Sequence, residues 1–361
     1  MNEAKNKKLV GLTSSVFAVI VGLLFGFIIL IFSNPSQALP GFLTILTGSF
    51  THGLKGVGQV FYYATPIILT GLSVGFAFRT GLFNIGTPGQ FIVGAFAAVV
   101  VGIRGDFLGN AQWLVAVLVS MVAGALWALV PGALNAYFNV NVVIACIMMN
   151  YIGMYLVNFT VKGSKALFDS LRNQSISVDK AAQIPKMGLN IIFPGSSING
   201  GFFIAVLVVI VIHFLLNKTT FGFELKAAGF NRDASKYAGM NEKRNIILSM
   251  AIAGALSGLA GGLVYLAGSG KHIEIVDVLA SEGFTGISVA LLGLSSPFGI
   301  LLAGLFIAYI TAGGFYLQLF EFSTEIIDII VAVIIYFSAF ALIIKTLMGR
   351  FDKKRNGGKK A

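Results

Sequence analysis

The sequence predicts an all-α, polytopic membrane protein of about ten transmembrane helices, with one helix-bearing loop on its inner face. Three observations carry that prediction. Hydrophobic residues make up 57% of the 361-residue chain and charged ones only 11%, an apolar excess that a water-soluble fold of this size could not bury. The apolar residues fall in long, nearly continuous runs, which suits helices; the strands of a membrane barrel would alternate. Lys and Arg gather in alternate connecting segments, as they do in proteins that cross a bilayer repeatedly.

A hydrocarbon layer about 30 Å thick takes about 20 residues of helix. The first run covers 9–32. It follows MNEAKNKK, and with Ser36, Gln37 and Ala38 beyond it the start resembles a secretory signal. At some 24 residues it exceeds the roughly 7–15 of a signal's apolar region, so it reads as an uncleaved span. Further spans follow at 56–78, 88–103, 112–137, 141–160, 201–216, 246–268, 279–294, 297–317 and 325–344. The third and eighth are short and interrupted by Gly, so counts of nine or eight also fit.

With the start of the chain inside, seventeen of the twenty-five Lys and Arg lie on inner segments: Lys5, Lys7, Lys8, Arg79, six in 218–245 and seven from Lys345 onward. Both termini are then cytoplasmic. The net charge of +11 reflects this topology and attraction to an anionic inner leaflet, and it needs no nucleic-acid partner. The membrane region occupies 9–346, between a short tail at 1–8 and a basic tail at 347–361.

Two loops stand out. The outer one, 161–200, carries Lys162, Lys165, Arg172, Lys180 and Lys186 and is too short for an enzyme domain. It suits either a docking surface for an extracytoplasmic protein or a solvated cap. The inner one, 218–245, holds a helical phrase at 223–228 ended by Gly229. A second phrase at 232–238 has Asn231 as N-cap and Gly239 just past its end, and Asn241 caps the next span. Short capped helices along a membrane face serve either to be gripped by a soluble partner or merely to connect. In the seventh span, Gly254, Gly258 and Gly262 form a tandem G-x-x-x-G face of the kind that lets helices approach closely.

The chemistry is defined largely by absence. Cys146 is the single cysteine, and His52, His213 and His272 share no ligand spacing, so no metal site is assigned. No catalytic grouping is apparent. The segment 268–272, GSGKH, approaches a phosphate loop but has Tyr265 where the first Gly belongs and His272 where Ser or Thr belongs. Asp328, three residues after Glu325, is read either as a functional intramembrane acid or as a hydrated helix-start acid.

The membrane core offers neutral hydrogen-bonding groups instead. In 79–90, RTGLFNIGTPGQ, four residues (Gly81, Gly86, Pro88, Gly89) oppose regular helix, and Pro66 kinks the helix before it. Broken backbone at membrane depth is tolerated where protein buries it or where it lines a watery path. Phe83, Asn84 and Gln90 flank the break, and Asn135, Asn139, Asn141, Asn150 and Tyr151 follow in the next two spans. Amides beside an aromatic ring suit a neutral polyhydroxylated or heterocyclic solute. The candidate pathway residues are therefore Phe83, Asn84, Gln90, Asn141, Asn150 and Tyr151. The plainer alternative is an inner turn with asparagines as interhelical glue.

GLSVGFAFRTGLFNIGTPGQFIVGAF at 71–96 resembles the signature of inner-membrane permeases of bacterial ABC importers for simple sugars and nucleosides. The likeness is strongest to the branch that works with basic-membrane-protein-type nucleoside lipoproteins. NVNVVIACIMMNYI at 139–152, FELKAAGFNRDASKYAGM at 223–240 and GFTGISVALLG at 283–293 match further blocks in order. Val142 and Thr285 stand where the family often has an acid. The resemblance implies a bacterial plasma-membrane protein that pairs with a second permease, a different paralogue. Two ATPase subunits would bind ATP and Mg, no cofactor residing in this chain, and a lipoprotein would deliver the solute. It also implies that 218–245 is the ATPase-coupling element. Glu224, Lys226, Arg232 and Asp233 would then give polar register and Phe223, Leu225 and Tyr237 apolar anchorage, with Ala227, Ala228, Gly229, Asn231 and Gly239 completing the two helices. A nucleoside is the expected cargo and a ribose-like sugar the alternative. The competing classes are an ion-gradient-driven secondary transporter, for which Asp328 would be the titrating group, and a membrane enzyme.

Overall fold

The computed structural model describes residues 2–268 and 270–339. The basic tail predicted at 347–361, the end of the tenth span from residue 340, Met1 and Ser269 lie outside the described residues. Within them the chain is helical almost throughout. In order it forms α1 Asn2–Ser33, α2 Ala38–Thr51, α3 Gly53–Arg79, α4 Thr87–Arg104, α5 Gln112–Phe138 and α6 Val142–Gly163. A two-residue-per-strand hairpin, β1 Phe168–Asp169 with β2 Gln174–Ser175, and the single turn α7 Leu189–Ile192 occupy the outer loop. There follow α8 Gly201–Lys218, α9 Thr220–Phe230, α10 Arg232–Tyr237, α11 Glu242–Tyr265, α12 Ser281–Leu292, α13 Pro297–Phe315 and α14 Thr324–Ala339.

Each predicted span coincides with a helix, and seven helices among the described residues are long and apolar enough to cross a membrane. Two helices were not predicted, the single turn α7 and the longer α2. The 14 residues of α2 are apolar but too few to span. They bury themselves against α13 instead: Ser49 Oγ donates to the Tyr309 carbonyl at 3.3 Å, the Tyr309 hydroxyl donates to the Leu46 carbonyl, and Gly313 meets the Ile45 backbone. Pro40 is accommodated because it falls in the first turn, where its missing N–H costs nothing.

At the centre lies α11, packed on α5, α4 and α3. Its small residues set the spacing. A Cβ added at Gly254 would lie 2.3 Å from the Gly124 carbonyl oxygen of α5, and one at Gly258 2.3 Å from the Ser120 carbonyl oxygen. Gly262 faces the Ser120 side chain. Lipid tails supply no hydrophobic drive for association, so backbone proximity and dispersion hold these helices together.

The two short, Gly-interrupted spans begin side by side. Helix α12 runs beside α3 in the same direction: Gly286 meets Thr70, Gly75 meets Ala290, and Arg79 Nε donates to the Ser295 carbonyl at 2.9 Å. Ser281 therefore lies level with Pro66, the midpoint of the 27-residue α3. The first turn of α4 reaches the same depth, since Gly283 abuts Pro88 and Asn84 folds back to Ser73. The N-termini of α4 and α12 therefore meet beside α3, although α4, at 18 residues, is long enough to span and α12, at 12, is not.

In the inner loop a helix end differs from expectation. Gly229 does not end its helix; α9 runs on through Phe230 to an extended Asn231. Gly229 is needed for a different reason, because a Cβ there would stand 2.6 Å from the Thr80 carbonyl carbon. The caps are formed: Asn231 Oδ1 accepts from Ala234 N and Asn241 Oδ1 from Arg244 N, both at 3.0 Å.

Candidate functional site

A cavity of about 830 Å³ opens where α12 begins beside the middle of α3, a volume within the roughly 300–1,000 Å³ usual for small-molecule sites. Tyr62, Tyr63, Thr65 and Pro66 form its α3 wall, and Glu282, Phe284, Thr285 and Ser288 its α12 wall. Thr311 and Phe315 of α13, and Asp328 and Tyr336 of α14, close the opposite side. Tyr63 and Phe315 stack with centroids 5.3 Å apart and planes 12° from parallel.

One ion pair sits in this wall. Lys271 Nζ donates to Glu282 Oε1 at 2.9 Å. Burial works against the Lys271 ammonium, but the Glu282 carboxylate outweighs it and holds the lysine above its usual pKa. The segment that carries Lys271 is sewn to the outer loop. Ser175 N donates to the Ile273 carbonyl at 2.8 Å, Ile275 N to the Asn173 carbonyl at 3.1 Å and Ile184 N to the Leu266 carbonyl at 2.9 Å.

The predicted pathway amides form a second cluster, against the first turn of α4. Asn84 Nδ2 donates to Gln90 Oε1 and Gln90 Nε2 donates back to Asn84 Oδ1, each at 3.0 Å. Asn84 Nδ2 also approaches Ser73 Oγ at 3.3 Å, and Ser73 accepts from Ser257 at 2.9 Å. Asn150 clamps the break by accepting from Gly89 N at 2.8 Å and donating to the Ile85 carbonyl at 2.9 Å. Asn84, Gln90 and Asn150 are fully buried, so their hydrogen bonds satisfy the broken backbone. The other three lie apart. Phe83 stacks on Phe78 at 5.1 Å, Asn141 caps α6 by accepting from Val143 N, and Tyr151 is exposed on α6. None of the six lines the cavity in this conformation.

Sequence reasoning passed over Lys271, Glu282, Tyr62 and Tyr63. A clue was present for one of them: Glu282 falls inside the predicted span 279–294, where an acid is costly. No local pattern marks the tyrosines, whose place depends on α12 stopping halfway.

In the 218–245 loop, α9 and α10 present a row of exposed rings. Phe223, Phe230 and Tyr237 are 63%, 89% and 93% exposed. Leu225, expected among the anchors, is instead 1% exposed and packs into the chain's own core beside Ala228. Phe230 occupies the free face in its place. Glu224 pairs with Arg244 at 3.0 Å and Arg232 with Glu242 at 3.8 Å, while Lys226 and Ala227 are half-buried and Asp233 and Gly239 exposed. A groove of about 860 Å³ runs alongside, lined by Lys218, Phe223, Glu224, Met240 and Arg244. Gly229 lets α9 press directly on the Thr80–Gly81 backbone, and the Thr80 and Ser249 hydroxyls share a hydrogen bond beneath it. That turn leads straight into the Asn84 network.

Comparison with known proteins gives a consistent family. The model of the family described as branched-chain amino acid transport system, permease component, matches residues 56–339. The chain is 38% identical over 349 residues to the guanosine ABC transporter permease protein NupP of Bacillus subtilis, covering 96% of this chain and 99% of that one. It is 33% identical to the nucleoside ABC transporter permease protein NupB of Lactococcus lactis, over 96% and 95% of the two chains. It is 31% identical to the glucose ABC transporter permease protein TsgB13 of Haloferax volcanii, over 82% and 78%. No solved structure matches.

Proposed function

The chain belongs to the branched-chain amino acid transport system permease family, and we propose that it is the membrane-spanning subunit of an ATP-driven importer of nucleosides. The observation that carries the mechanism is the contact of Gly229 with the Thr80–Gly81 turn. It joins an exposed helix to the turn that ends α3 and leads into α4, without an intervening side chain. ATPase subunits that bind ATP and Mg grip the exposed Phe223, Phe230 and Tyr237 and push on α9. The push reaches the Asn84–Gln90–Asn150 network, which holds the start of α4, and shifts it between two packed arrangements. Glu224, Lys226, Arg232 and Asp233 set the register of that grip. The permease breaks no bond; its work is to change which face of the membrane the cavity opens to.

The cavity between α3 and α12 is the solute's resting place. Its rings suit a flat heterocycle and its Thr and Ser hydroxyls a ribose. The full-length likeness to permeases named for guanosine and nucleosides supports that cargo. A simple sugar is the second reading, favoured by the relative named for glucose. A second permease completes the channel, a receptor delivers the solute from outside at the 161–200 loop, and both termini lie inside. Uptake of labelled nucleosides and sugars by a strain lacking this chain tests the cargo: nucleoside uptake falls, and undiminished uptake with no redundant carrier rejects it.

A further inference from the structure

The geometry points to the Lys271–Glu282 pair as the element that reads the nucleobase, a donor-and-acceptor reader for the edge shared by all the common bases. This rests on the nucleoside reading above.

Three observations support it. First, the pair lies in the cavity wall where α12 begins beside Pro66 of α3, at the level where α8 begins and α11 ends. A partly exposed pair adds little to stability, so stability alone does not account for two charges facing this cavity. Second, the pair remains reachable: the Lys271 and Glu282 side chains are 47% and 26% exposed, although their charges are only 2.9 Å apart. A solute in the cavity meets both heads at once. Third, the surroundings fit the rest of a nucleoside. Tyr62, Tyr63, Phe284 and Phe315 offer ring faces, and the Thr285, Ser288 and Thr311 oxygens can accept from ribose hydroxyls. Thr285 and Thr311 spend their own protons on the Ser281 and Ile307 carbonyls.

The chemistry of the pair selects a ligand class. An ammonium only donates and a carboxylate only accepts. Together they complement any edge that places an N–H next to an acceptor. Guanine offers N1–H beside O6, uracil N3–H beside O4, adenine an amino N–H beside N1 and cytosine an amino N–H beside N3. The pair therefore admits purines and pyrimidines alike, and it discriminates against a base whose edge N–H is blocked by a methyl group. Glu282 is the carboxylate of the α12 wall, and Asp328 of α14 faces it from the opposite side of the cavity.

The test uses the assembled importer in proteoliposomes, with its ATPases, receptor and both permeases. Uptake is measured for guanosine beside 1-methylguanosine and for uridine beside 3-methyluridine. The receptor contributes the same preference to every permease variant, so a change in either ratio belongs to this chain. Glu282→Ala is expected to reduce both ratios about tenfold or more, the scale of a charge-assisted hydrogen bond lost at a buried site. Because Glu282→Ala strands the lysine, the double variant Lys271→Met/Glu282→Met is measured as well; it removes both charges, keeps the volume and is expected to lose the same discrimination. Ratios equal to wild type in both variants, or loss of all four solutes together, would mean a structural clasp and overturn the inference. A wild-type importer that carries no nucleoside fails at the proposed function itself, and the reader role falls with it.

Discussion

Gly229→Ala isolates the contact through which this chain is proposed to receive its energy. The added Cβ would stand 2.6 Å from the Thr80 carbonyl carbon and 2.7 Å from Gly81 N. Ordinary carbon contacts lie at about 3.5–4.0 Å, so α9 and the turn must part by about 1 Å. Both neighbours are backbone, and no side chain can rotate away. Overpacking of this kind costs about 1–3 kcal/mol. Alanine's helix preference returns up to about 1 kcal/mol, so the helix itself survives. The displaced contact is the one between α9 and the turn that ends α3, and a coupling term of about 1–3 kcal/mol corresponds to roughly 5–150-fold. In the reconstituted importer, nucleoside moved per ATP hydrolysed is expected to fall at least about fivefold, while membrane insertion and ATP turnover persist. Gly163→Ala, where a Cβ meets nothing within 4 Å, serves as the control and leaves the ratio unchanged. A wild-type ratio in Gly229→Ala would refute the reasoning.

Two further outcomes follow from the same geometry. Glu224→Lys repels Arg244 across a partly exposed pair now at 3.0 Å, worth no more than about 1 kcal/mol to stability; insertion is expected to be normal and ATP turnover to continue with uptake reduced, and full transport would count against a register role. Asn84→Ala leaves the buried Gln90 amide without its reciprocal partner, which costs about 1–3 kcal/mol; the detergent-solubilised protein is expected to melt at lower temperature, and an unchanged melt would show that the network does not hold the break.

Much of this architecture was legible from the chain, because hydropathy runs and caps act locally. The spans follow from apolar length, and Asn231 and Asn241 cap their helices as their placement before helical runs implies. The misses arise where distant pairing decides. Helix α2 reads as loop because 14 residues cannot span, and it is stable through α13. Gly229 looks like a helix stop, yet its small size serves a crossing with a turn some 150 residues earlier in the chain. The family resemblance implies an anchor at Leu225, but the helix turns it inward. The cavity depends on α12 beginning halfway along α3, a depth that no window of residues encodes. Its Tyr62, Tyr63, Lys271 and Glu282 therefore stayed hidden while the conspicuous amides of the break proved to be bonded to one another.

Energy source is the central claim, and accumulation of labelled nucleoside in sealed vesicles tests it most directly. Vesicles holding both permeases without the ATPases, under an imposed proton or sodium gradient, are compared with vesicles holding the complete importer, its receptor and ATP. The account predicts accumulation only in the complete, ATP-supplied vesicles. Sustained accumulation driven by the ion gradient alone would contradict it.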